Sequence, residues 1–164
     1  MKKILSLILV IMLLISCLAG CNNDDNTDEP EIVFDEYYTQ LEDFETIKPL
    51  LVDFYTEVQR AYNGSDKSDA ETLELSDDFN DICDELDAIN NEYRDIKSEE
   101  ISSEEYGIFL DLIMPYQKTR LIIAEINLAK SLQEHGYGST DCTESFKELK
   151  QSIDDAYKKY STAQ

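Results

Sequence analysis

Residues 102–136 read SSEEYGIFLDLIMPYQKTRLIIAEINLAKSLQEHG, and this stretch decides the fold. Ser102 three residues before Glu105 has the pattern of a capping box. Apolar residues then recur every three or four positions, which predicts a helix to about Glu134, interrupted by Pro115. His135-Gly136 closes it: glycine serves a left-handed cap, and an imidazolium suits the negative end of the helix dipole. At 100° per residue, Tyr106, Leu110, Ile113, Leu121, Ala124, Leu128 and Leu132 fall on one row, the expected bundle face. Ile108, Leu112, Ile123 and Ile126 fall on a second row, roughly opposite. A helix of a simple bundle buries one side only. The second row is therefore either wrapped by another helix or left as a strip that docks a partner or a second copy of the domain.

Outward from this helix the same periodicity continues. Upstream, Ser76 is a good N-cap, with Asp77 and Asp78 at the positive end of a helix that should run to about Lys97. Its stripe is Phe79, Ile82, Leu86, Ile89, Tyr93 and Ile96. Further upstream, Phe34, Tyr37, Leu41, Phe44, Leu51, Phe54, Val58 and Tyr62 make one long stripe that ends at Asn63-Gly64. Pro49 sits inside it, and a proline removes a backbone donor and crowds the preceding turn, so a break is expected near Thr46 to Lys48. Downstream, Asp141 with Glu144 resembles a capping box. Cys142, Phe146, Leu149, Ile153, Ala156 and Tyr160 follow as the stripe of a last helix. The expected fold is all-α: residues 31–164 form an antiparallel bundle of about four helices, with helices 1 and 3 kinked at Pro49 and Pro115.

The N-terminus is of another kind. Lys2 and Lys3 precede an apolar run from Ile4 to Ala19, shorter than the roughly 20 residues a spanning helix needs and followed at once by Cys21-Asn22-Asn23-Asp24-Asp25. That is the layout of an export signal. Leu18-Ala19-Gly20-Cys21 then resembles the lipobox of bacterial lipoproteins. The resemblance implies cleavage after residue 20 and a diacylglyceryl group on Cys21, which would hold the mature chain on the extracytoplasmic face of the cell membrane. Leu14-Ile15-Ser16-Cys17 fits a permissive version of the pattern, and a cleaved secretory signal with a disulfide-forming Cys21 is the plain alternative. Residues 21–30 carry no apolar side chain after the cysteine and read as an acidic tether. Asp24, Asn26 and Asp28 have the spacing that opens a calcium loop, but Glu29 stands where glycine is required, so no metal is expected there.

Charge narrows the partners. The chain has 36 acidic residues; removal of Lys2 and Lys3 with the leader leaves 12 basic ones, a net charge of −24. Such a surface repels nucleic acid, whose binding needs lysine and arginine, and favours a cationic protein or peptide. With one histidine and no His-Glu-x-x-His, Cys-x-x-Cys or phosphate-loop pattern, neither an enzyme nor a cofactor is expected. The leading expectation is a non-catalytic binding or interaction module at the cell surface. The alternative is a small-ligand-binding or envelope-sensing lipoprotein with a pocket between kinked helices. Arg120, between Pro115 and Leu121-Ile122-Ile123, is the candidate to line such a pocket, and if turned inward it needs a carboxylate beside it. Cys83 and Cys142, the thiols left after lipidation, are candidates for a disulfide, since an exported domain permits one.

Overall fold

Two cap motifs fix where the longest helix begins and ends. In the computed structural model, which describes residues 32–96, 101–138 and 141–162, the longest helix runs Ser103–Glu134. Its N-cap is Ser102, whose hydroxyl accepts from the Glu105 N–H at 3.0 Å. Its other end closes as expected on Gly136, at φ +79°. The Gly136 N–H reaches the Gln133 carbonyl (2.7 Å) and the Tyr137 N–H reaches Leu132 (2.8 Å), the paired bonds of a Schellman motif. His135 turns its Nδ1 to the Ser131 carbonyl, 2.7 Å away.

Among the described residues there are four α-helices and no strand: α1 Phe44–Gly64, α2 Phe79–Asp95, α3 Ser103–Glu134 and α4 Thr143–Ser161, with 3-10 turns at Glu36–Gln40 and Ala70–Thr72. Side-chain pairs give their directions. Asp111 meets Lys159, Lys118 meets Asp155 and Thr119 meets Ser152, so α3 and α4 are antiparallel. Tyr93 stacks on Phe109 while Tyr116 bonds Asp87, so α2 and α3 are antiparallel too. On α1, Phe54 packs on Phe79 of α2, and Tyr62 and Tyr55 meet Phe146 and Tyr160 of α4. The result is an up-down-up-down bundle in which α1 lies diagonal to α3 and α2 to α4. All of it belongs to the unit that begins at Ile32. The leader, the tether and Cys21 lie outside the described residues.

Two boundaries differ from expectation. The break in the first stripe falls before Pro49, at Leu41–Asp43, where the Leu41 N–H closes the 3-10 turn on Tyr38 and the Asp43 carbonyl receives the Thr46 and Ile47 N–H groups. Leu41 and Phe44 are both buried by this turn of the chain. Pro49 then sits in the second turn of α1 on its exposed side, where the carbonyl it leaves without a helical partner can meet water. Helix α2 starts at Phe79, with Asp78 as N-cap, rather than after Ser76. Ser76 meets α1: its N–H donates to the Glu57 carboxylate.

That bond is part of a clamp. Arg60 makes two hydrogen bonds to Glu57, at 2.8 and 2.7 Å, and a third to the Glu74 carbonyl at 2.8 Å, so one ion pair holds residues 74–76 on α1. The Arg60 bonds, opposed by burial and helped by the Ser76 N–H, hold the Glu57 carboxyl down at about 2. Because the unfolded carboxyl titrates near about 4.3, this stabilisation is fully present above that pH and is lost as pH falls toward 2. Arg60 is half exposed, which limits the gain. Glu57→Ala is expected to lower stability by about 1–2 kcal/mol at neutral pH. In urea titrations the gap between variant and wild type should close as the pH approaches 2, and a gap that persists there would contradict the clamp.

Candidate docking surface

Helix α3 is apolar on two sides, and the bundle buries the row that the sequence left either wrapped by another helix or docking, not the row expected to be its face. Ile108, Leu112, Ile123 and Ile126 are each 2% exposed or less, together with Phe109, Tyr116 and Thr119. This row is core, and its reading as an interface is corrected. The other row is turned outward: Met114 is 59% exposed, Leu121 72%, Leu128 59% and Leu132 45%. Of the row expected to be the bundle face, only Ile113 is buried. The aromatic rings were the discriminating signal, because Phe109 and Tyr116 both lie on the Ile108 side and large rings are the costlier groups to leave in water.

The exposed row has an uncommon charge pattern. Over a sector of about 100° at 100° per residue, α3 presents Tyr106, Leu110, Met114, Gln117, Leu121, Ala124, Leu128, Ser131 and Leu132 without one charged side chain. The chain as a whole is 30% charged. Charges stand at the edges of the sector. On one edge are Lys118 and Glu125; on the other is Arg120. Beside Met114, the row opens into a trough of about 430 Å³ between α3 and α4, lined by Pro115, Ser152 and Ala156 and rimmed by the Asp111–Lys159 and Lys118–Asp155 pairs.

Arg120 does not line that trough. Its guanidinium pairs with Asp87 of α2 and donates to the Tyr116 hydroxyl at 3.2 Å. Tyr116 in turn shares its one hydroxyl proton between Asp87, 2.9 Å away, and the Cys83 carbonyl, 3.2 Å away. The carboxylate that an inward arginine would require is thus present, but the side chain stays about two-fifths exposed and serves to join α2 to α3. Burial, with Cys83 close by, pushes the Tyr116 phenol well above the ordinary range, so it remains a donor.

Cys83 and Cys142 are both buried and neither is bonded, which corrects the expected disulfide. Their helices are diagonal, and their levels do not match. Cys83 lies level with Tyr116, whereas Cys142 is close enough to Glu125 to feel its charge. The nine-step rise from one of those positions of α3 to the other spans about 13 Å, beyond the roughly 7 Å that a disulfide tolerates between Cα atoms. Burial raises both thiol pKa values, so neither is activated. The Asp141 carboxylate accepts from the Thr143 N–H and hydroxyl, and Cys142 takes the N-cap position of α4. No protein family, curated protein or solved structure matches the chain.

Two outcomes follow for the bench. Ile123→Ala should cost about 2–4 kcal/mol, as cavity-forming core truncations do, while Leu121→Ala should stay within about 0.5 kcal/mol. Equal losses in the two variants would refute the assignment of faces. Alkylation of unfolded, unreduced protein should label Cys83 and Cys142 alike, and a mass two hydrogens lighter with no label at either would restore the disulfide.

Proposed function

We propose that this chain is a lipid-anchored lipoprotein on the extracytoplasmic face of the cell membrane and that its helical domain acts by docking, without catalysis. The observation that carries the docking part is the uncharged apolar row on α3, 72% exposed at Leu121, in a chain of net charge −22. An isolated exposed leucine needs no explanation, but a row about five turns long with charges only at its edges does. The anchoring part rests on Leu18-Ala19-Gly20-Cys21 and the charged and apolar segments before it. Among the described residues no helix is long and apolar enough to cross a membrane. Two or three acyl chains on Cys21 would supply the lasting attachment, at about 0.8 kcal/mol per buried CH₂.

A small apolar ligand is the alternative occupant, favoured by the trough beside Pro115. Its floor is Met114, Pro115 and Ala156, and its volume of about 430 Å³ falls within the range of ligand sites.

The test uses whole cells. Cys21→Ala should abolish incorporation of labelled fatty acid and leave the precursor uncleaved. A photoreactive side chain at position 121 should give a discrete crosslinked product, whereas the same group at the exposed Asp53 of α1 should not. Unchanged fatty-acid labelling would sink the anchor, and the lack of any product specific to position 121 would sink the docking surface.

A further inference from the structure

The docking row lies on a helix whose pattern is complementary to itself. Resting on the docking reading above, we propose that the occupant is a second copy of this chain, packed α3 against α3 in an antiparallel two-fold contact centred on Leu121. Met114, Leu121 and Leu128 are seven residues apart, the repeat of a helix-pair seam. Gln117 and Ala124 fill the alternate seam positions, and neither places a charge there. A two-fold axis at Leu121 sets that side chain against its own copy and Met114 against Leu128, so one row serves both partners.

The edge charges agree with this arrangement. Lys118 lies about 4.5 Å along the helix to one side of Leu121 and Glu125 about 6 Å to the other, on the same edge. Antiparallel pairing brings each Lys118 to the level of the second copy's Glu125, twice over. Glu125 is exposed and makes no ion pair among the described residues. Lys118 is held only by Asp155, at 3.4 Å between two groups more than half exposed, a bond easily exchanged. In a parallel pair the same edge would meet Ile113 and Arg120, and Arg120 is already held by Asp87. A contact one helix row wide is narrower than the roughly 800 Å² per partner of a stable complex. The dimer is therefore weak in solution and gains its population from the high effective concentration of chains anchored in one membrane. Two processed chains of net charge −24 also repel each other, and that repulsion outweighs two rim ion pairs, so added salt tightens the contact.

Sedimentation equilibrium of residues 22–164, which contain the entire described core, tests this from about 50 to about 500 mM NaCl at protein concentrations approaching millimolar. A monomer–dimer equilibrium is expected, tighter at high salt. Leu121→Asp should weaken it at least about tenfold with the circular dichroism of the monomer unchanged. Lys118→Glu alone should weaken it, and Lys118→Glu with Glu125→Lys should restore it. A monomer under all conditions, a dimer indifferent to Leu121→Asp, or a double variant no better than the single one would each overturn the proposal. If the chain is monomeric while position 121 crosslinks a different protein in cells, the docking surface stands and the second copy is replaced as its occupant. A salt-released partner with a basic amphipathic helix would be that replacement. If neither is found, the docking reading falls as well.

Discussion

A hydroxyl enclosed by apolar side chains is costly to leave without a partner, and for the hydroxyls at the centre of the bundle this cost sets the register. Thr119, fully buried on α3, has the Ser152 hydroxyl of α4 at 2.8 Å and the Tyr55 hydroxyl of α1 at 3.4 Å, and it donates back to the Pro115 carbonyl at 3.0 Å. Tyr160 of α4 donates to the Leu112 carbonyl at 3.0 Å, and Tyr116 ties α3 to α2. A slip of one helix past another by a single turn would leave these groups without partners in a medium where each lost bond is costly. Apolar contacts alone would tolerate several registers. The hydroxyls select one.

Once α3 is fixed in that register, its two apolar rows acquire different fates. The side bearing Thr119 and Tyr116 must face the other three helices, because its polar partners are there. The row of Met114, Leu121 and Leu128 is then forced outward whatever its hydrophobicity. It lies between α2, whose first turns carry Asp81, Asp84, Glu85 and Asp87, and α4, where four lysines offset four acids. A surface of this kind is apolar at its centre, acidic on one flank and near neutral on the other. In an antiparallel two-fold contact of two α3 helices like flank meets like, so the two acidic flanks lie on the same side and add to the repulsion between the chains.

The legible parts of the fold were those set by local chemistry. The Ser102 cap, the close at Gly136, and the three-four spacing of α2 and α4 all act within a few residues of themselves, and all appear as expected. Ser76 stands one turn before α2, where its carbonyl accepts from the Phe79 N–H at 3.2 Å, and its own N–H is held by Glu57, nineteen residues away. The proline at 49 marked no boundary because the chain had already turned at Leu41–Asp43 and the helix offered an exposed side to receive it. The two rows of α3 were indistinguishable by periodicity, since a helix repeats equally well for either side, and the choice was made by hydroxyl partners on other helices. The cysteine levels were misjudged for a similar reason: Cys142 caps α4 beside residues 65–72, where its N–H donates to the Ser68 carbonyl at 2.6 Å, while Cys83 lies farther along the bundle.

The entry of the chain into the bundle at Ile32 carries a mechanical meaning. The Asp35 N–H bonds the Tyr160 carbonyl in the last turn of α4, and Phe34, Tyr38, Phe44 and Tyr160 close around that point with ring centroids 4.8 to 6.4 Å apart. Tension applied through the residues before Ile32 therefore loads an aromatic cluster that bridges the two ends of the fold, rather than the first turn of one helix. Such a load is shared between α1 and α4 at once, as in a seam stitched across two panels. A domain pulled from its N-terminus would resist until the whole cluster yields, and peeling of a single helix is the less available route.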